Sequence, residues 1–170
     1  PAAPIPSDEN LRLAALRDLN LLDQEGDQEL NRITALAASV LDVPICLVSL
    51  VDEERLWFAA HHGTDGNQWP RELSFCSHVV SGKRVILAHD LRLDERFADN
   101  DLVVRRLPPM RFYAGVPLVL STGVIGSQLP MDRIAAGITA AASRLGRDEA
   151  ALLVHQIDDG GVIHGVAALI

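Results

Sequence analysis

The sequence predicts an α+β fold: an antiparallel sheet with helices packed on its faces. Two observations carry this expectation. Apolar residues recur at helical spacing twice near the start, in 11–22 and 30–41, and short strand-like runs follow with links too tight for parallel crossovers. A third is negative. Strands and helices do not alternate along the chain as a doubly wound fold requires.

The elements follow in order. "PAAPIP" opens the chain and reads as a disordered lead-in over residues 1–7. It has neither a basic stretch nor a long apolar stretch, so it is not a signal peptide. Ser7 is placed to cap a first helix, with Asp8 and Glu9 favourable in its first turn. Leu11, Ala15, Leu19 and Leu22 make its apolar stripe. "DQEGDQE" interrupts the pattern. Leu30, Ile33, Ala37, Val40 and Leu41 then mark a second helix, and Pro44 lies just past its end.

"ICLVSLVD" is apolar on both alternating faces and predicts a central strand. "DEER" is a turn, and "LWFAAHH" is the hairpin partner. "GTDGNQWP" has loop composition. Ser74 caps a short helix running to about Ser81, with Gly82 as its stop. "RVILAHD" is a short strand. "LRLDERFADND" is a polar loop anchored by Phe97, and "RFYAGVPLVLSTGVIGSQL" is a pair of strands turning near Ser121–Gly123. "MDRIAAGITAAASRLG" has helical composition. "ALLVHQIDDGGVIHGVAALI" predicts either a hairpin about Asp158–Gly161 or a helix end with a tail.

Composition narrows the function. The 170 residues are 48% hydrophobic and carry a formal charge of −8. Such a surface disfavours nucleic acid and anionic membrane as partners. No apolar run approaches the ~18 residues of a membrane span. Two cysteines, Cys46 and Cys76, make no disulfide framework and suit a reducing, cytoplasmic setting.

The stretch "RELSFCSHVVSG" concentrates the chemistry. Cys76 falls in the first turn of the helix capped by Ser74, where free N–H groups favour a thiolate, and Arg71 is close in sequence. The alternative is a small buried hydrophobe, which is what most free cysteines are. His78 is not its base: two residues on a helix are separated by about 200°. His61, His62, His78 and Cys76 have no metal-site spacing, and adjacent His61 and His62 point to opposite faces of a strand. No metal is expected, and no phosphate-cradling loop is present. Arg105–Arg106 reads as surface. Trp57–Phe58 and Phe112–Tyr113 each place one ring on either face of a strand.

These motifs together resemble a GAF domain of the bacterial group fused to sensor histidine kinases or diguanylate cyclases. "ENLRLAALRDLNLLD" with "ELNRITALAASVLDVPICLVSLVDEERLWFAA" resembles the family's opening helices and hairpin. "PRELSFCSHVV", "DLRLDERFADNDLV" and "MRFYAGVPL" resemble later motifs in the right order. The resemblance implies a sheet of five or six strands over residues 8–132, with 133–170 an atypical C-terminal segment on the same domain. It implies a regulatory sensory module, not an enzyme, that binds an unidentified small molecule, forms a homodimer, and controls a histidine kinase or diguanylate cyclase output. A pocket is implied at Trp57, Phe75, Cys76, His78, Phe97, Phe112 and Tyr113, with no cofactor identified. Ser77 stands where a bilin-binding domain has histidine. Two further readings stay open: a thiol-based redox sensor or enzyme using Cys76, and a ligand-free dimerisation module.

Overall fold

The computed structural model describes residues 1–24, 26–120 and 162–169, the last segment and 119–120 as backbone only. Expectations for residues 121–161 lie outside the described residues. The described strands are β1 (Cys46–Val51), β2 (Arg55–His62), β3 (Gln68–Pro70), β4 (Ile86–Ala88), β5 (Tyr113–Leu120) and β6 (Val162–Leu169). They form one antiparallel sheet in the order β3-β2-β1-β6-β5-β4. The α+β expectation holds.

β6 lies inside the sheet. Leu169 is level with Cys46 on one side and Ala114 on the other, and Gly165 is level with Leu50 and Leu118. Residues 162–169 are thus a strand and not the tail that one reading of the C-terminal stretch expected. β1 and β5 each present a row of backbone donors and acceptors that only another strand can satisfy.

Helix α1 (Glu9–Asp18) and helix α2 (Gln28–Leu41) cover one face. Helix α3 (Phe75–Gly82) covers the other, with the short helix α4 (Asp101–Val104) and its flanking loops. On β1, Cys46 and Val48 face α2 while Leu47 and Val51 face α3. The β1–β2 register shifts between Val48 and Ser49, so Ala59 is an extra residue opposite the pair. That bulge brings His61 to the same side as Phe58, their rings 5.9 Å apart, while His62 is exposed.

Several local expectations are corrected. α1 begins at Glu9, and its N-cap is Asp8, not Ser7; Asp8 is engaged by Lys83 instead of capping. Its buried residues are Arg12, Leu13 and Leu16, while Leu11 is 61% exposed. The helix is rotated because the Arg12 guanidinium reaches the Val51 carbonyl at the end of β1. α2 is capped by the Asp27 carboxylate, which accepts from the Glu29 and Leu30 amides at 2.8 and 3.3 Å. It buries Leu30 and Ala37 as expected, with Thr34 and Ala38 completing the face; Val40 is 72% exposed. Small residues there let α2 approach the sheet. Gln68–Pro70, expected as loop, pairs with the start of β2. Within residues 1–7, Pro6 is buried and the Pro1 carbonyl lies near His78 on α3.

Candidate functional site

Ser74 caps α3 as its sequence predicts, accepting from the Ser77 amide at 3.2 Å. Gly82 is the last helical residue and not the stop. Lys83 takes the left-handed conformation (φ 48°) and returns its amide to the Val79 and Val80 carbonyls. Cys76 therefore lies in the first turn, but it is buried against the sheet. The Tyr113 hydroxyl lies 3.5 Å from Sγ. Burial pushes the Cys76 thiol pKa up, and hydrogen bonds involving Ser49, Tyr113 and Ser74 only partly oppose it. Burial likewise raises the Tyr113 hydroxyl well above its usual value.

Arg71 does not reach the thiol. Its guanidinium donates to Glu9 Oε1 at 2.6 Å and to the Asp52 and Glu53 carbonyls at 2.9 and 3.2 Å. Glu9 also takes both Nε and Nη2 of Arg12, at 2.9 and 2.8 Å. Burial tends to raise the Glu9 pKa, but hydrogen bonds from Arg12 and then Arg71 outweigh it and bring it down to about 2.

Five of the seven residues expected at a pocket converge beneath α3. Phe75, Phe97 and Tyr113 pack edge to face with centroids 5.0, 5.3 and 6.0 Å apart. Cys76 lies beside Tyr113, and the half-buried His78 ring meets Phe97 edge-on at 5.0 Å. Desolvation lowers the His78 pKa, with the Pro1 carbonyl opposing. Tyr113 lies flat over its own strand: a Cβ added at Gly115 would stand 2.1 Å from its hydroxyl oxygen. These rings fill the space between α3 and the sheet.

The other two are elsewhere. Trp57 is on the opposite face with Leu13, Leu16 and Leu50, and the Arg55 guanidinium lies 5.3 Å from its ring centroid. Phe112, one residue before Tyr113, packs with the α2 side and borders an open cleft of about 640 Å³. Sequence reading missed this cleft. It lies at the sheet end where β1 and β5 begin and β6 finishes. Its walls are the α2–β1 connection, 41–45, and the approach to β5, 106–112, with Gly63 between them. Gly63 has φ +76°, and a Cβ there would come within 1.7 Å of the Pro44 carbonyl oxygen, so only glycine lets the end of β2 press against that wall. Arg106, expected as plain surface, lines the cleft with Arg111 and Asp42. The signal available in the sequence was the pair Pro108–Pro109 set between Arg106 and Arg111.

Among the described residues, no three His, Cys, Asp or Glu side chains are grouped to hold a metal, and no helix is long and apolar enough to cross a membrane.

An antiparallel sheet with a helix pair on one face and α3 on the other defines an α+β module. The GAF domain family model matches residues 25–127, and the chain belongs to the GAF family. It is 42% identical over 131 residues to the cyclic di-GMP phosphodiesterase PA2567 of Pseudomonas aeruginosa, an alignment covering 76% of this chain and 22% of that protein. The chain thus spans about a fifth of the length of this relative. Among solved structures, the GAF domain of a phosphoenolpyruvate-protein phosphotransferase from Coxiella burnetii is similar (11% identity, 93% and 76% of the two chains covered, TM-score 0.50). So is fRMsr of Staphylococcus aureus (14%, 96% and 79%, TM-score 0.46). At these identities the structural likeness concerns the fold.

Proposed function

We infer that this GAF domain is a regulatory input module that binds a small molecule and controls an output domain acting on a cyclic dinucleotide. The supporting observation is the open cleft of about 640 Å³ at the end of the sheet, of the size and apolar character common to small-molecule sites. The output is inferred from the 42% identity to a cyclic di-GMP phosphodiesterase. The mechanism is a population shift, in which an occupant favours one arrangement of the strands and terminal helices. A test is to replace the matching segment of the Pseudomonas relative with this chain and follow cyclic di-GMP hydrolysis, adding small-molecule cell extract. Hydrolysis that changes with extract supports the reading. A rate indifferent to every fraction, from a folded chimera, overturns it.

A second reading, a dimerisation module without ligand, is favoured by one observation. Leu36 and Val40 are 65% and 72% exposed one turn apart on α2. Leu36→Glu with Val40→Glu should convert a dimer to a monomer in sedimentation, with the helical circular dichroism unchanged. A dimer that persists removes that face from the interface. A nucleophilic role for Cys76 gains no support, because its buried thiol resists ionisation.

A further inference from the structure

We propose that the cleft at the start of β1 and β5 takes a small organic acid, its flat apolar body against Pro44, Pro109 and Phe112 and its carboxylate on Arg106 and Arg111. The inference rests on the sensory reading and names the ligand class for it.

The charge argument comes first. The chain carries −8 overall, yet two arginines and a single acid, Asp42, line this cleft. Each guanidinium is anchored through one nitrogen. Arg106 Nη1 donates to the Pro108 carbonyl at 2.8 Å, and Arg111 Nη1 to the Val103 and Met110 carbonyls at 2.8 and 3.0 Å. Among the described residues, neither makes a salt bridge, and no other hydrogen bond takes the Nε–Nη2 edge of either. That edge is the two-donor fork that fits a carboxylate. Asp90 lies within the field of Arg111, but its oxygens are held by Arg92 at 2.6 to 3.2 Å.

The walls decide the rest of the ligand. They are mostly apolar, with three prolines and Phe112, so a small hydrated anion gains little there. They are also held in place before anything binds. The Leu91 amide donates to the Arg111 carbonyl at 2.7 Å, the Met110 amide to the Leu102 carbonyl at 3.0 Å, and Gly63 closes against Pro44. Preformed walls reduce the ordering cost of binding. Pro44–Ile45 leads directly into β1 and Phe112 into β5, and both strands pair with the last residue of β6, Leu169. An occupant touching both walls therefore bears on the two strands that flank the end of β6.

The test compares 1-naphthylacetate with its neutral amide, 1-naphthylacetamide, by titration of the ¹⁵N-labelled chain. The acid should shift the amides of residues 42, 43, 45, 63 and 110–112 and bind about tenfold more tightly than the amide. Arg106→Gln and Arg111→Gln should each bring the acid towards the affinity of the amide. Arg111 also anchors its loop, so the exposed Asp42 supplies an independent variant. Asn tolerates the left-handed conformation of Asp42 (φ 51°). Asp42→Asn should strengthen binding of the acid by about twofold to fivefold and leave the amide unchanged, as removal of a like charge requires. Equal affinities for acid and amide overturn the inference. So do shifts confined to other residues, or no binding of the acid. If components of a cell extract then shift resonances outside the cleft, the sensory reading survives without this site. If extract shifts none, both fall.

Discussion

Where β1 finishes, Arg12 and Arg71 converge on Glu9 and on the carbonyls of Val51, Asp52 and Glu53. Where β1 begins, Arg106 and Arg111 border an open cleft and, among the described residues, reach only backbone carbonyls. The residue type is the same at both ends of one sheet. At the first end Arg12 gives its Nε–Nη2 fork, and Arg71 its Nη1, to the Glu9 carboxylate, tying α1, the β1–β2 turn and the approach to α3 together. At the second each guanidinium is steadied by one nitrogen on backbone carbonyls and, among the described residues, meets no carboxylate. The difference teaches that an arginine becomes structural when a carboxylate inside the fold takes its charge, and stays available when only carbonyls hold it.

The largest effect should come from breaking the first end. Arg12 is 1% exposed, so Arg12→Ala removes a buried guanidinium and leaves the Val51 carbonyl unpaired. We expect a loss of about 3–5 kcal/mol in urea unfolding. Arg106→Gln at the other end should stay within about 0.5 kcal/mol. Equal losses would remove the contrast between the two ends.

Gly115→Ala tests whether the space beneath α3 is core. The new Cβ would stand 2.1 Å from the Tyr113 hydroxyl oxygen and 2.6 Å from Cζ, and Tyr113 is fully buried with nowhere to turn. The expected cost is about 2–3 kcal/mol by thermal unfolding. A neutral result would mean that the ring has room, and that this region opens to ligand after all.

Acid should weaken the Glu9 end selectively. The Glu9 pKa falls from 4.5 to about 2 on folding. Its contribution is therefore complete above about pH 4.5 and is lost as pH falls towards 2. We expect about 2 kcal/mol over that interval, allowing for partial solvent screening. Glu9→Gln should flatten that part of the stability profile. A profile unchanged by the substitution would place the acid sensitivity in other carboxylates.

Much of this was legible in the sequence because it depends on local pattern. The α2 stripe, the β1–β2 hairpin, the Ser74 cap and the opposite facing of Phe112 and Tyr113 follow from periodicity and short-range chemistry. The family resemblance added the order of the motifs. What was not legible depends on pairs distant in the chain. The rotation of α1 is set by Arg12 meeting Val51, 39 residues away, and Arg71 is drawn from the thiol by Glu9, 62 residues away. The cleft joins residues 41–45 to 106–112, which no window of sequence holds together. The expected pocket residues divide between the two faces for the same reason: strand parity was readable, but which side is filled depends on the helices brought against it.

The smallest effect separates backbone from charge beside the Glu9 end. Lys83 holds φ at 48° as the C-cap of α3, and its Nζ reaches Asp8 Oδ2 at 2.6 Å on the surface. An exposed pair of this kind contributes about 0–1 kcal/mol. Lys83→Ala and Lys83→Gly both remove it, but only glycine adopts the left-handed conformation without a Cβ penalty. Lys83→Gly should therefore be more stable than Lys83→Ala by about 1 kcal/mol, and the Lys83→Ala loss should shrink in high salt only by the ion-pair part. If the alanine variant is the more stable, α3 does not end in a left-handed residue.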